Sequence, residues 1–171
     1  MSKVFFVADP HFWHKNIIKY ENRPFNSTEH MNEELIKRWN KVVSRSDKVY
    51  VLGDFALANR EKITDIVSKL NGYKVLVMGN HDQYSHSFYL EAGFNEVSKY
   101  PIIIDNFWVL SHEPMYINEN MPYANIYGHV HNNPSFADYS NQSICVSVER
   151  EHMNYAPIEF KKVKELLGLT E

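Results

Sequence analysis

Short apolar runs that stop abruptly at a histidine, aspartate or asparagine constrain this chain more than any other feature. Five do so. Val4–Val7 runs into Asp9 and His11, residues 49 to 52 into Asp54, and residues 75 to 78 into Asn80 and His81; residues 107 to 110 lead to His112, and Ile126 with Tyr127 to His129 and His131. Runs of this length, rich in Val, Ile, Phe and Tyr, read as buried strands, and a strand ending in a polar cluster delivers that cluster to a loop. Ile102–Ile104 and residues 144 to 148 read as further strands.

The segments between them carry a helical period. Residues 28 to 43 place Met31, Leu35, Trp39 and Val42 on one face behind a Ser27 or Thr28 cap. Residues 60 to 70 repeat the pattern with Ile63, Ile66, Val67 and Leu70, and stop at Asn71-Gly72. Residues 160 to 167 set Phe160, Val163, Leu166 and Leu167 at helical intervals, with Lys161, Lys162 and Lys164 as a solvated basic face. Alternating strands and helices imply a layered α/β domain, and the strand-rich second half suggests two packed sheets with helices outside. No repeat or Gly/Ser linker divides the 171 residues, so one domain spanning the whole chain is expected.

Composition narrows the function classes. A net charge of −3 argues against coating long nucleic acid, which needs a basic excess to neutralise phosphates, but leaves a nucleotide-like substrate open. The lone cysteine, Cys145, can form neither an internal disulfide nor a thiolate zinc cluster, and reads as a buried core residue. The apolar stretch at the N-terminus is cut short by Asp9, and no segment approaches the roughly 18 apolar residues of a membrane span. A cytoplasmic location without membrane attachment is therefore the expectation.

Of nine histidines, five lie just past strand ends, joined by Asp9, Asp54 and Asn80. Ligands gather outside the carboxyl ends of strands in open α/β sheets, so residues far apart in sequence can converge there. Asp9-x-His11 and His129-x-His131 each project two ligands to one side of an extended segment, because side chains alternate with period two. Imidazole, carboxylate and an amide oxygen without thiolate suit Mn, Fe, Zn or Ni.

The series Asp9-Pro10-His11, Gly53-Asp54, Gly79-Asn80-His81-Asp82, Ser111-His112-Glu113-Pro114 and Gly128-His129-Val130-His131 resembles the calcineurin-like metallophosphoesterase superfamily, with all five blocks in order. His14-Lys15-Asn16-Ile17-Ile18 and Asn22-Arg23-Pro24-Phe25 further resemble a branch of small bacterial and phage phosphoesterases. The resemblance implies a four-layer α/β/β/α sandwich of two mixed sheets flanked by helices. It also implies two divalent metal ions, Mn²⁺ first among them. Asp9, His11 and His131 would hold one, Asn80, His112 and His129 the other, with Asp54 shared; a shared carboxylate holds two cations about 3.5–4 Å apart. The implied reaction is in-line attack on a phosphodiester by a hydroxide shared between the metals, with His81 protonating the leaving group and His112, Arg23 and His14 contacting the phosphate.

Two departures refine that expectation. The protein Ser/Thr phosphatase branch carries an acid and an arginine soon after Gly-Asp, where this chain reads Phe55-Ala56-Leu57-Ala58-Asn59-Arg60, so a phosphoprotein substrate is disfavoured. Asp82 adjoins His81, but neighbouring side chains often point apart. A small or nucleotide-like phosphodiester is the leading expectation, with a phosphomonoesterase next; a nuclease or a non-catalytic scaffold on the same fold follow. Tyr116, Tyr123, Tyr127, Phe136 and Tyr139 surround the later histidines and offer either base stacking or ordinary packing.

Overall fold

A computed structural model describes residues 2 to 118, 120 to 134 and 141 to 169. The elements follow in the order β1 (Val4–Val7), α1 (Ile17–Tyr20), α2 (Thr28–Val42), β2 (Lys48–Leu52), α3 (Arg60–Lys69), β3 (Tyr73–Val77), α4 (His86–Glu91), β4 (Glu96–Ser98), β5 (Ile102–Ile104), β6 (Trp108–Leu110), β7 (Ala124–Tyr127), β8 (Ser143–Cys145), β9 (Ile158–Glu159) and α5 (Phe160–Leu166). They build two mixed sheets flanked by helices, the α/β class expected from the sequence.

One sheet has five strands in the order β4-β3-β2-β1-β9, and the other has four in the order β5-β6-β7-β8. β1 to β4 run parallel and β9 antiparallel to β1, while β6, β7 and β8 are parallel and β5 is antiparallel to β6. Parallel strands need a crossover on their way back, and α2 and α3 supply it between β1, β2 and β3. Both helices start at real caps: Ser27 accepts from the His30 amide and Asn59 from the Lys62 amide. Their periodic residues, Met31, Leu35 and Trp39 in α2 and Ile63, Ile66 and Val67 in α3, are buried. Each large apolar side chain so buried contributes roughly 1.5–3 kcal/mol.

Between the sheets, Phe6 of β1 stacks on Tyr50 of β2 and meets Phe160 of α5 edge-on, and Phe160 in turn meets Trp108 of β6. Cys145 is buried with Tyr127 and Val130 in a smaller apolar cluster. The sheets are also joined at the carboxyl ends of their strands. The amide of Ala8 donates to Val146 and that of Val148 to Ala8, forming a parallel bridge between Ala8 and Ser147. That junction brings the end of β8 alongside Asp9. Among the described residues no helix is long and apolar enough to cross a membrane.

Candidate metal centre

Parallel pairing continues past the strands into the loops that carry the histidines. The amides of Asp9, His11 and Phe12 donate to Gly53, Asp54 and Phe55, and those of Ser111 and Gly128 to Ile126 and His112. Loops from both sheets are thus held at one end of the molecule. Among the described residues, five of the eleven non-glycine residues at positive φ are Asp9, His11, Asp54, His129 and His131. Left-handed backbone costs roughly 1–2 kcal/mol per residue away from glycine, so its concentration on these residues marks a site where geometry outranks stability.

Two motif glycines show how tightly the loops are packed. A Cβ on Gly79 would fall 2.4 Å from Asp54 Oδ1, and one on Gly128 would fall 2.7 Å from Asp9 Oδ2 and 2.4 Å from the Ala8 Cβ. Neither has a positive φ. Glycine is demanded there by close approach to a carboxylate.

The side chains converge as three groups of potential ligand atoms among the described residues. Asp9, His11 and His131 form one, and Asp54, His112 and His129 the second, while Glu21 and Glu149 form a third that shares His131 with the first. Asn80 joins the second, its Oδ1 lying 3.0 Å from both His112 Nε2 and His129 Nδ1. Asp54 stands between the first two, with Oδ2 3.5 Å from His11 Nε2 and Oδ1 3.5 Å from His112 Nε2. Its carboxylate presents one oxygen to each of these two clusters.

The donor set fits cations. Asp9 Oδ1 and His11 Nε2 are buried without a hydrogen-bond partner, which is costly for groups that could otherwise reach water. The His112 ring donates from Nδ1 to the Leu52 carbonyl at 2.9 Å, which leaves its Nε2 lone pair facing the Asn80 oxygen. His129 Nδ1 lies 3.1 Å from that Nε2 and 3.0 Å from the Asn80 oxygen, so three potential ligand atoms crowd one point. His11 is held well below its ordinary pKa by burial and by the charges of His131 and Arg23, and burial also lowers His129. Both are therefore neutral and able to ligate. Burial pushes Asp9 up to about 6 in the metal-free site, against the pull of His131 and His112. For His131 burial works against the charge, but the hydrogen bond to Glu149 and the charges of Asp9, Glu149 and Glu21 outweigh it and raise the ring to about 9.

Arg23 requires correction. Its guanidinium is buried, and its donors are taken up by the Asp9 and Pro10 carbonyls at 2.7 Å, by Glu149 and by Met31 Sδ. No N–H remains to reach a phosphate. Arg23 instead clamps the strained backbone that carries Asp9 and His11. Asp82 is likewise an organiser of loops: its carboxylate accepts from the amides of Gly79, Asp54 and Phe55.

Two residues that sequence reading missed complete the support. Glu149 accepts from His131 Nδ1 at 3.2 Å, and Ser147 donates to Asp9 Oδ2. Such partners fix the ring tautomer and carboxylate orientation of a ligand. A signal existed, because Glu149 ends the apolar run 144 to 148 just as the ligands end theirs.

Above the clusters lies an open pocket of about 380 Å³, lined by His11, His14, Ile17, Tyr20, Glu21, Asp54, Asn80, His81, His129 and His131. His14 Nδ1 is 3.1 Å from His11 Nδ1, and the His81 ring centroid is 5.3 Å from that of His11. The His81 amide donates to Asp54 Oδ1, tying this loop to the shared carboxylate. Asp9 and His112 lie beneath the floor. Tyr116 and Tyr123 do not line the pocket, Tyr127 is buried, and Phe136 and Tyr139 fall outside the described residues.

A profile of calcineurin-like phosphoesterases matches residues 2–144. An uncharacterised protein of Methanocaldococcus jannaschii is 36% identical over 98% of this chain and 92% of its own length. The Gene 66 protein of Mycobacterium phage L5 is 33% identical over 48% of this chain and 41% of its own. A crystal structure of a protein of unknown function from Aquifex aeolicus superposes with a TM-score of 0.77 at 28% identity, covering 97% of this chain and all of that one.

Proposed function

We propose, from the premise that the chain belongs to the calcineurin-like phosphoesterase family, that it hydrolyses a small or nucleotide-like phosphodiester with two divalent metal ions, Mn²⁺ first among them. The observation that carries this reading is the Asp54 carboxylate, which lies 3.5 Å from a histidine of each ligand cluster. Asp9, His11 and His131 would hold one ion and Asn80, His112 and His129 the other. The chemistry such ions supply is Lewis-acid polarisation of the phosphoryl oxygens and a lowered pKa for bound water.

The chain's own groups do the rest. His81, half-buried in the pocket wall, would give a proton to the leaving oxygen, a contribution of roughly 10²–10⁴-fold. His14, which lines the pocket and lies beside His11, would contact the phosphate. Among the described residues the pocket wall offers no lysine or arginine, and Glu21 adds a negative charge to it. A diester carries one charge where a monoester carries nearly two, so this wall favours the diester.

Hydrolysis of an aryl phosphodiester beside the matching monoester tests the proposal. Metal-stripped protein is given Mn²⁺, Ni²⁺, Zn²⁺ or Mg²⁺, with Asp54→Asn as control. Metal-dependent diester cleavage that disappears in the control is expected. Preference for the monoester would replace the diester reading with a phosphomonoesterase, and failure of both esters with two metals bound would overturn hydrolysis itself.

A further inference from the structure

A second concavity, about 350 Å³ in volume, is lined by Tyr20, Glu21, Asn22, Asn132, Asn133 and Pro134. Tyr20 and Glu21 also line the metal pocket, so the two share a wall. A molecule with its phosphorus over the ligand clusters can therefore extend into the second space without leaving the surface. Tyr20 stands at the crossing. Its side chain is 68% exposed and its ring meets His14 edge-on at a centroid distance of 6.4 Å. The short helix that carries it is pinned by buried Ile17 and by the Arg23 amide donating to Ile18. An aromatic ring held rigidly in water beside a reaction centre is a stacking surface.

The rest of the lining selects what would stack. Three carboxamides and one carboxylate line the space, and no lysine or arginine is among the described lining residues. Without a cation to neutralise a further phosphate, that lining suits a neutral, planar, polar-edged group better than the next unit of a nucleic-acid strand. Asn132 and Asn133 directly follow His131, so one loop addresses both the phosphate end and the planar end.

Resting on the phosphodiesterase reading, we propose that this concavity is the nucleobase subsite of a nucleotide diesterase, with Tyr20 stacking the base. Glu21 stands on the shared wall with its carboxylate close to His131 and Glu149, so Tyr20 is the residue that addresses the base. Stacking on an aromatic side chain is worth about 1–3 kcal/mol, so a base should tighten binding by roughly tenfold or more.

The test is calorimetric titration of the Mn²⁺-loaded full chain with adenosine 5′-monophosphate and ribose 5-phosphate, which share a phosphate. The adenine nucleotide should bind about tenfold more tightly than ribose 5-phosphate. Tyr20→Ala should erase that ratio and Tyr20→Phe retain it. Equal binding of adenosine 5′-monophosphate and ribose 5-phosphate, or a ratio unmoved by Tyr20→Ala, overturns the subsite. Because binding is read without turnover, the two proposals separate: a base preference in a protein that cleaves no diester sinks the hydrolase alone, and diester cleavage without the preference sinks the subsite alone.

Discussion

The two halves of the candidate metal centre are built differently. Asp9 and His11 are buried, and the first half is held from behind by Ser147 on Asp9, Glu149 on His131 and Arg23 on the backbone between them. In the second half only His112 and the shared Asp54 are buried, while Asn80 and His129 are exposed, and His112 alone has a backbone carbonyl behind its ring. Over-determined ligands lose little freedom when a cation arrives; exposed ones must be ordered by it. The first half should therefore bind its ion more tightly, and the second should be where ions exchange.

Asp54→Asn attacks both halves at once. It should lower metal-dependent hydrolysis by roughly 10³-fold, the scale of the several kcal/mol that metal polarisation supplies. Steady-state rates at saturating metal measure it, and a loss below tenfold would show that the carboxylate is not shared.

The motif glycines allow the halves to be struck separately. Gly79→Ala pushes on Asp54 and on His112, whose Cε1 would lie 2.8 Å from the new Cβ, whereas Gly128→Ala pushes on Asp9. A displacement approaching 1 Å can cost about 10²-fold in rate. Both variants should lose activity on that scale, but Gly128→Ala should weaken the tighter ion and Gly79→Ala the weaker one. Identical affinity changes in both would erase the distinction.

Glu149→Gln removes the carboxylate behind His131 and should weaken the first ion by about 10–100-fold while leaving the second near its original affinity. Calorimetry resolves the two steps. Substituting Arg23 is less clean, because it leaves Glu149 buried without its cation.

The smallest effect is on pH. A histidine whose folded pKa is raised gives stability that is complete below its ordinary 6.5 and is lost as pH climbs through the folded value, here about 9 for His131. Asp9, raised to about 6, loses its own contribution lower on the scale. The melting temperature of metal-free protein should thus fall between pH 7 and 9, by about 2–4 °C for each kcal/mol. Glu149→Gln should flatten that slope, and an unchanged slope would remove Glu149 as the cause.

The convergence of Asp9, His11, Asp54, Asn80, His112, His129 and His131 was legible because each follows an apolar run, and the run itself says which end of the sheet it reaches. α2, α3 and α5 were legible from their periods. Strands β4 and β9 and helices α1 and α4 were not, since two to six residues hold less than a readable period and their stability comes from neighbours. Arg23 was misread for a related reason. Sequence shows a cation near a motif but not its burial, and the carboxylate that claims it lies 126 residues away. Tyr20 gave no signal either, because only the fold reveals that its ring faces water while Ile17 faces the core.

The most direct test of the account is a Mn²⁺ titration of metal-stripped protein followed by electron paramagnetic resonance. Two equivalents should bind in unequal steps and end in the exchange-coupled spectrum of a pair, which Asp54→Asn should convert to uncoupled ions. A single equivalent, or two ions that never couple in the unaltered chain, would contradict a centre shared through Asp54.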